Sequence, residues 1–192
     1  MMTIPRPSSI WEGNDRDFLQ WAIPFYWREV GPPAILDINY GAGRFWRGNF
    51  WPVVSLDSSA PSDVKADNRF LPFRPESFDV VVYDPPHMED NHGVTLSRYA
   101  SGAPDSAAVL PEVKRVLRDG GILLSKIADA VHAQHSNWPH TELMTQAPGY
   151  GLVVCDLIIK IRSSALIDPK WKKAYHARKR HCFWIICRKG KC

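Results

Sequence analysis

The sequence predicts one α/β domain: a mostly parallel sheet covered by helices on both faces, in three layers, with an antiparallel pair of strands at one edge. Three observations predict it. Short, unbroken apolar runs alternate with helical or loop segments from Ala34 to Ser125, and strands without polar alternation are those buried on both faces. Three of those runs end on an acidic residue, at Asp37, Asp57 and Asp84. Two longer apolar runs near the end, 152–161 and 182–188, have no helical pattern clearly between them, so they are expected to pair with each other. At 192 residues the chain suits a single domain with a real core.

The elements follow in order. Met1 to Gly13 is proline-rich and expected to be extended. Asn14 or Asp15 can cap a helix over about Arg16 to Val30, where Phe18, Leu19, Ala22, Phe25 and Tyr26 recur at helical spacing. Pro24 interrupts that helix and Gly31-Pro32-Pro33 stops it, so residues 1–33 read as an N-terminal extension and helix. Ala34 to Ile38 and Val53 to Leu56 are short strands, and Asp79 to Tyr83 is the clearest strand. Val109, Leu110, Val113, Val116 and Leu117 mark a helix over Ala107 to Leu117. Asp119-Gly120-Gly121 closes it, and Ile122 to Ser125 returns to the sheet. His87 to Pro104 and Ile127 to Gly149 are long and polar, which in a compact domain marks functional loops.

Charge is uneven. Lys160 to Cys192 holds eleven basic residues against one acid, Asp168, a net +10, whereas the rest holds 13 basic and 19 acidic residues, a net −6. A basic segment of this kind meets polyanions. It is densest in 162–181, which reads as a basic insertion between the last two strands. No run approaches the roughly 18 apolar residues that span a bilayer. Pro5, Arg6 and Pro7 leave no apolar signal segment at the start, so a cytoplasmic location is expected. Cys155, Cys182, Cys187 and Cys192 contain no CxxC pair, and free thiols are expected. His135, His140, His176 and His181 have no metal-ligand spacing, so no metal is expected.

Three constellations carry chemistry. In Asp37-Ile38-Asn39-Tyr40-Gly41-Ala42-Gly43 a strand runs into a glycine turn, where the backbone can pass closely under a ligand. Asp57, at the end of the next strand, can accept both hydroxyls of a ribose. Trp46 stands where a dinucleotide fingerprint needs its third glycine, which disfavours a pyrophosphate-binding site. In Asp67-Asn68-Arg69-Phe70-Leu71 an acid can accept from the amine of an adenine while Phe70 or Leu71 packs on the ring. Asp84-Pro85-Pro86-His87 follows the strongest strand. Its two prolines stiffen a loop that holds a carboxylate and a carbonyl as acceptors for an NH₂ group. A ring-conjugated amine is a poor nucleophile, so orientation and polarisation are what such a loop contributes.

Together these motifs resemble the class I (Rossmann-like) S-adenosylmethionine-dependent methyltransferases, and within them the nucleic-acid amino-methyltransferases. The resemblance covers Ala34 to Lys126 at motif level. Arg180 to Lys189, a histidine and aromatics leading into an apolar run, also resembles the final strand of DNA amino-methyltransferases. The family implies a seven-stranded sheet with a reversed last hairpin. It implies S-adenosylmethionine as cofactor, with Asp37, Asn39, Tyr40, Gly41 and Gly43 along its methionine part, Asp57 on ribose, and Asp67, Asn68 and Phe70 at adenine. Asp84, Pro85, Pro86 and His87 would hold the target amine, adenine N6 or cytosine N4 in DNA. His87 departs from the family's aromatic at that position. Arg98, Lys126, Lys170, Lys172, Lys173, Arg178, Lys179 and Arg180 are the expected nucleic-acid contacts. An RNA amino-methyltransferase is the nearest alternative, and a cofactor-binding subunit without activity a further one.

Overall fold

A computed structural model describes residues 8–48, 51–86, 105–132, 135–162, 176–177 and 179–192. His87, Arg98, Lys170, Lys172, Lys173 and Arg178 lie outside the described residues.

Ten strands and three α-helices are described: β1 (Ile10–Trp11), α1 (Asp15–Tyr26), β2 (Ile35–Asp37), β3 (Val53–Asp57), β4 (Val64–Lys65), β5 (Phe78–Tyr83), α2 (Ser106–Val116), β6 (Leu117–Ile127), β7 (Ala130–His132), β8 (His135–Asn137), α3 (Pro139–Gln146), β9 (Leu152–Ile161) and β10 (His181–Lys189). Eight strands form one sheet in the order β1-β9-β10-β6-β5-β2-β3-β4, and β7 and β8 form a separate hairpin. All pairings in the large sheet are parallel except β10 with β6 and β10 with β9. This is the expected mostly parallel sheet with an antiparallel C-terminal hairpin. The addition is β1, two residues of the N-terminal extension that pair with β9.

Strand alternation distributes the core to both faces. Ile35, Val80, Val82, Ile122, Leu124, Trp184 and Ile186 pack with α1 on one side. Leu36, Val81, Tyr83, Leu123, Phe183, Ile185 and Cys187 pack with Val109, Leu110 and Val113 of α2 and Leu143 of α3 on the other. Helix α1 is capped by Asn14, whose Oδ1 accepts from the Asp17 N–H at 2.8 Å. It ends at Tyr26 rather than Val30, with Trp27 already extended at φ −95° and ψ 113°.

Three expectations are corrected. The Asp119-Gly120-Gly121 segment does not separate helix from strand, because β6 already starts at Leu117. Gly120, at φ 77°, gives a left-handed step inside the strand, opposite a register shift in the β5–β6 pairing. The span 127–149 is not a structureless loop but carries β7, β8 and α3. Cys155 and Cys192 form a disulfide, with Cα atoms 5.7 Å apart, while Cys182 and Cys187 are buried free thiols. The pairing brings the chain end back beside β9 and removes the cysteine argument for a reducing compartment. No helix among the described residues is long and apolar enough to cross a membrane.

Candidate active site

From β2 the chain steps outward to β3 and β4, then returns across β2 to β5 and β6. Strand order thus reverses between β2 and β5, and the carboxyl ends of strands at such a switch point are where ligands bind in open α/β sheets. Asp37 and Asp57 end their strands there, and Asp84 follows β5 directly. The three acids, far apart in sequence, thus share one edge.

The glycine turn is built from backbone hydrogen bonds to this edge. Ile38 N–H donates to the Val82 carbonyl and Tyr40 N–H to that of Leu56, both at 3.1 Å. Gly41 and Gly43 are left-handed, at φ 56° and 64°. A Cβ on Gly43 would lie 2.6 Å from the Tyr40 hydroxyl, so only glycine lets the Tyr40 ring lie against the turn. Asp57 holds the turn from beneath. Its Oδ2 accepts from Gly41 N–H at 2.8 Å, and its Oδ1 from Ser59 and Ala60 N–H, each at 2.8 Å. Burial pushes the Asp57 carboxyl up, but the N–H donors of Ala60, Ser59 and Gly41 outweigh it and hold it below the ordinary carboxylate range. Asp57→Ala is expected to cost about 1–3 kcal/mol, the range for losing charged hydrogen bonds. Urea unfolding with an unchanged m-value checks this.

Asp37 is buried between two donors, the Trp46 indole N–H at 2.6 Å and the Asn39 N–H at 3.0 Å. Burial pushes its carboxyl up to about 7, against both hydrogen bonds and with the charges of Asp84 and Asp57 adding to the rise.

The 66–73 loop completes the edge. Asn68 Nδ2 donates to Asn39 Oδ1 at 3.2 Å, joining it to the glycine turn. Its far side is fixed by Glu112, which accepts from Leu71 N–H at 2.8 Å, and by Arg115, which donates to the carbonyls of Leu71 and Phe73. Phe70 is 75% exposed. Asp67 is engaged by Arg69, with Nη2 to Oδ2 at 2.6 Å, so an incoming amine would compete with that pair.

Lys126, expected as a nucleic-acid contact, is turned inward and only 13% exposed, with Nζ 3.6 Å from Asp84 Oδ2 and 3.0 Å from Asp15 Oδ2. Phe45 lies against the ammonium, 5.0 Å to the ring centroid. Burial pulls the Lys126 ammonium down, but Asp84 and Asp15 outweigh it and hold it above the ordinary lysine range. Asp15, the first residue of α1, also meets Lys160 Nζ at 3.5 Å and accepts from the Trp184 indole at 3.2 Å. Charges therefore alternate along the edge as Asp84, Lys126, Asp15 and Lys160. Asp15 and Lys160 carry no sequence signal for this, because only the packing of α1 against β6 and β9 brings them there. Of the other expected nucleic-acid contacts, Lys179 lies over the Trp138 ring at 4.1 Å, and Arg180 is exposed.

No protein-family model matches the sequence, and no curated protein matches it. Solved structures do. A Bacillus halodurans protein described as a candidate methyltransferase superposes with a TM-score of 0.62, covering 93% of this chain and 100% of that one at 14% identity. The fold is the Rossmann-like methyltransferase fold. Another protein with this fold is a Methanosarcina mazei S-adenosylmethionine-dependent methyltransferase, at TM-score 0.56 and 15% identity over 88% of this chain and 97% of that one. The 1,6-didemethyltoxoflavin-N1-methyltransferase of Burkholderia thailandensis, holding its substrate and S-adenosylhomocysteine, superposes at 0.57 and 16% identity over 92% of this chain and 77% of that one.

Proposed function

We propose that this chain is an S-adenosylmethionine-dependent methyltransferase acting on an exocyclic amino group of a nucleic-acid base, with adenine N6 or cytosine N4 of DNA as the leading target. The observation that carries the reading is the position of Asp84-Pro85-Pro86: at the carboxyl end of the central strand β5, beside the glycine turn at the point where strand order reverses. The fold neighbours support the cofactor, since one of them holds S-adenosylhomocysteine.

The residues at the edge fit that group. Asp57 offers a carboxylate for ribose hydroxyls, the Gly41–Gly43 turn gives close backbone approach, and Asn68 and exposed Phe70 would take the adenine. The cofactor supplies an electrophilic methyl on a sulfonium, so the protein needs no metal for the transfer. Asp84 accepts an N–H of the target amine and fixes the direction of the nitrogen lone pair. Pro85 and Pro86 limit the freedom of the loop, which lowers the entropy cost of that alignment. Lys126, facing Asp84, keeps the carboxylate an acceptor and so favours orienting the amine over deprotonating it. The target base reaches such a loop only when unstacked or single-stranded, and the basic connection around Lys170 to Arg180 would supply phosphate contacts, which makes binding salt-sensitive.

The test is transfer of labelled methyl from S-adenosylmethionine to unmethylated genomic DNA, tRNA and rRNA in parallel, followed by nucleoside digestion, with Asp84→Ala as control. Label recovered as N6-methyladenine or N4-methylcytosine in DNA, and lost in the variant, supports the proposal. Label in RNA amines alone keeps the chemistry and replaces the polymer. Label on ribose oxygen, or on no polymer although the cofactor binds, overturns the amine reading.

A further inference from the structure

Beyond the edge that holds Asp84, the fold builds a second feature that the methyl-transfer site does not use. Trp138 is 45% exposed. It precedes α3, and its carbonyl accepts from Thr141 N–H at 3.0 Å and Thr141 Oγ1 at 2.8 Å, which fixes its backbone. Its ring meets His140 edge-on at 6.3 Å between centroids. His140 is itself held from two sides: Nδ1 lies 2.5 Å from Asp129 Oδ1, and the ring stacks on Phe183 at 4.0 Å and 19°. Phe183 pairs with Ile127 in the sheet, and its neighbour Trp184 pairs with Lys126. A rigid path of rings thus runs from the strand that carries Lys126 to an exposed indole.

The charge beside this indole is positive. Lys179 Nζ sits 4.1 Å from the Trp138 ring centroid, a cation–π contact, and Arg180 follows it in the chain. A half-exposed ring carrying an ammonium over one face matches the two halves of a nucleotide, since a base stacks on the remaining surface of an indole whatever its sequence and a phosphate pairs with a lysine.

We infer that Trp138 and Lys179 form a docking shelf for an unpaired nucleotide flanking the target base. The shelf takes the base on the exposed part of the indole and its phosphate at the ammonium. The His140–Asp129 pair and Phe183 act as its strut. This inference rests on the nucleic-acid reading above.

Fluorescence anisotropy of end-labelled single-stranded DNA and RNA 12-mers tests it, with Trp138→Ala, Trp138→Phe and Lys179→Met against the wild type. Trp138→Ala is expected to weaken binding roughly tenfold, within the range for one stacked base, while Trp138→Phe keeps most of the affinity. Lys179→Met is expected to reduce the slope of log affinity against log salt by about one phosphate contact. Melting temperatures of the Trp138 variants should match the wild type within a few degrees, since the ring is half exposed. Wild-type binding that Trp138→Ala leaves unchanged overturns the shelf and spares the nucleic-acid reading. Displacement of the oligonucleotide by polyglutamate with equal ease from wild type and Trp138→Ala assigns the patch to charge alone and likewise overturns the shelf. Absence of wild-type binding to either polymer overturns both.

Discussion

Replacing Lys126 with methionine is expected to lower methyl transfer by about two orders of magnitude while leaving affinity for the cofactor nearly unchanged. The size follows from what preorganised charge contributes at an active site, where removing one well-placed group costs about 10²–10³ in turnover. Lys126 is the cation nearest the Asp84 carboxylate among the described contacts, at 3.6 Å, and it also neutralises Asp15. Without it the half-buried Asp84 carboxylate loses an adjacent cation while Asp15 keeps Lys160, and a carboxylate that loses a neighbouring positive charge holds a proton more tightly. The acid limb of the pH–rate profile should therefore move toward neutral pH in Lys126→Met. Lys126→Arg, which keeps the charge on a bulkier fork, should restore the limb and part of the rate. A merely structural lysine would lower turnover without moving the profile, and that result would sink the assignment. Some loss of stability is expected as well, about 3 kcal/mol for breaking a buried pair, so thermal melts must accompany the rates. Asp15→Asn separates the two roles, since it removes the structural partner and leaves Asp84 with its counter-ion.

Much of this edge was legible in the chain because the relevant signals are local. Strand β5 reads as Asp-Val-Val-Val-Tyr because a strand covered on both faces needs no polar alternation. The Gly41–Gly43 turn announces itself through residues that must adopt left-handed conformations. The hairpin of β9 and β10 was legible from two long apolar runs with no helical pattern clearly between them. What escaped the sequence depends on distance along the chain. Asp15 meets Lys126 across 111 positions, and Cys155 meets Cys192 across 37, with nothing nearby to pair them in advance. Helix α3 hid because only Pro139 and Leu143 among its residues are buried, so it has almost no apolar stripe to read. The partners of Lys126 were hidden for a related reason: a lysine at a strand end looks the same in sequence whether it faces solvent or an acid brought in by another element.

The stability of this fold should fall as pH rises from 5 to 8, by about 2–3 kcal/mol more in the wild type than in Asp37→Asn. Asp37 is the source. Its carboxyl, pushed up to about 7 by burial, holds a proton in the folded chain that the unfolded chain releases near its ordinary value of 3.8. A group whose folded pKa is raised contributes stability that is complete below the unfolded value and lost as pH climbs through the folded one. At about 1.4 kcal/mol per pH unit the full span is worth roughly 4 kcal/mol, and most of it falls between pH 5 and 8. Asp57, Asp67 and Glu112, all held below the ordinary carboxylate range, act in the opposite sense, but their contribution fades only at more acid pH. The two effects occupy separate windows, so urea unfolding at pH 5 and pH 8 isolates Asp37. Parallel pH dependence in wild type and Asp37→Asn would show that Asp37 is already ionised in the fold. The same carboxyl connects stability to the proposed activity. A sulfonium cation bound at this edge lowers the cost of ionising Asp37, so cofactor binding near pH 7 should release a fraction of a proton. Calorimetry in buffers of different ionisation enthalpy would detect that proton in the wild type and lose it in Asp37→Asn.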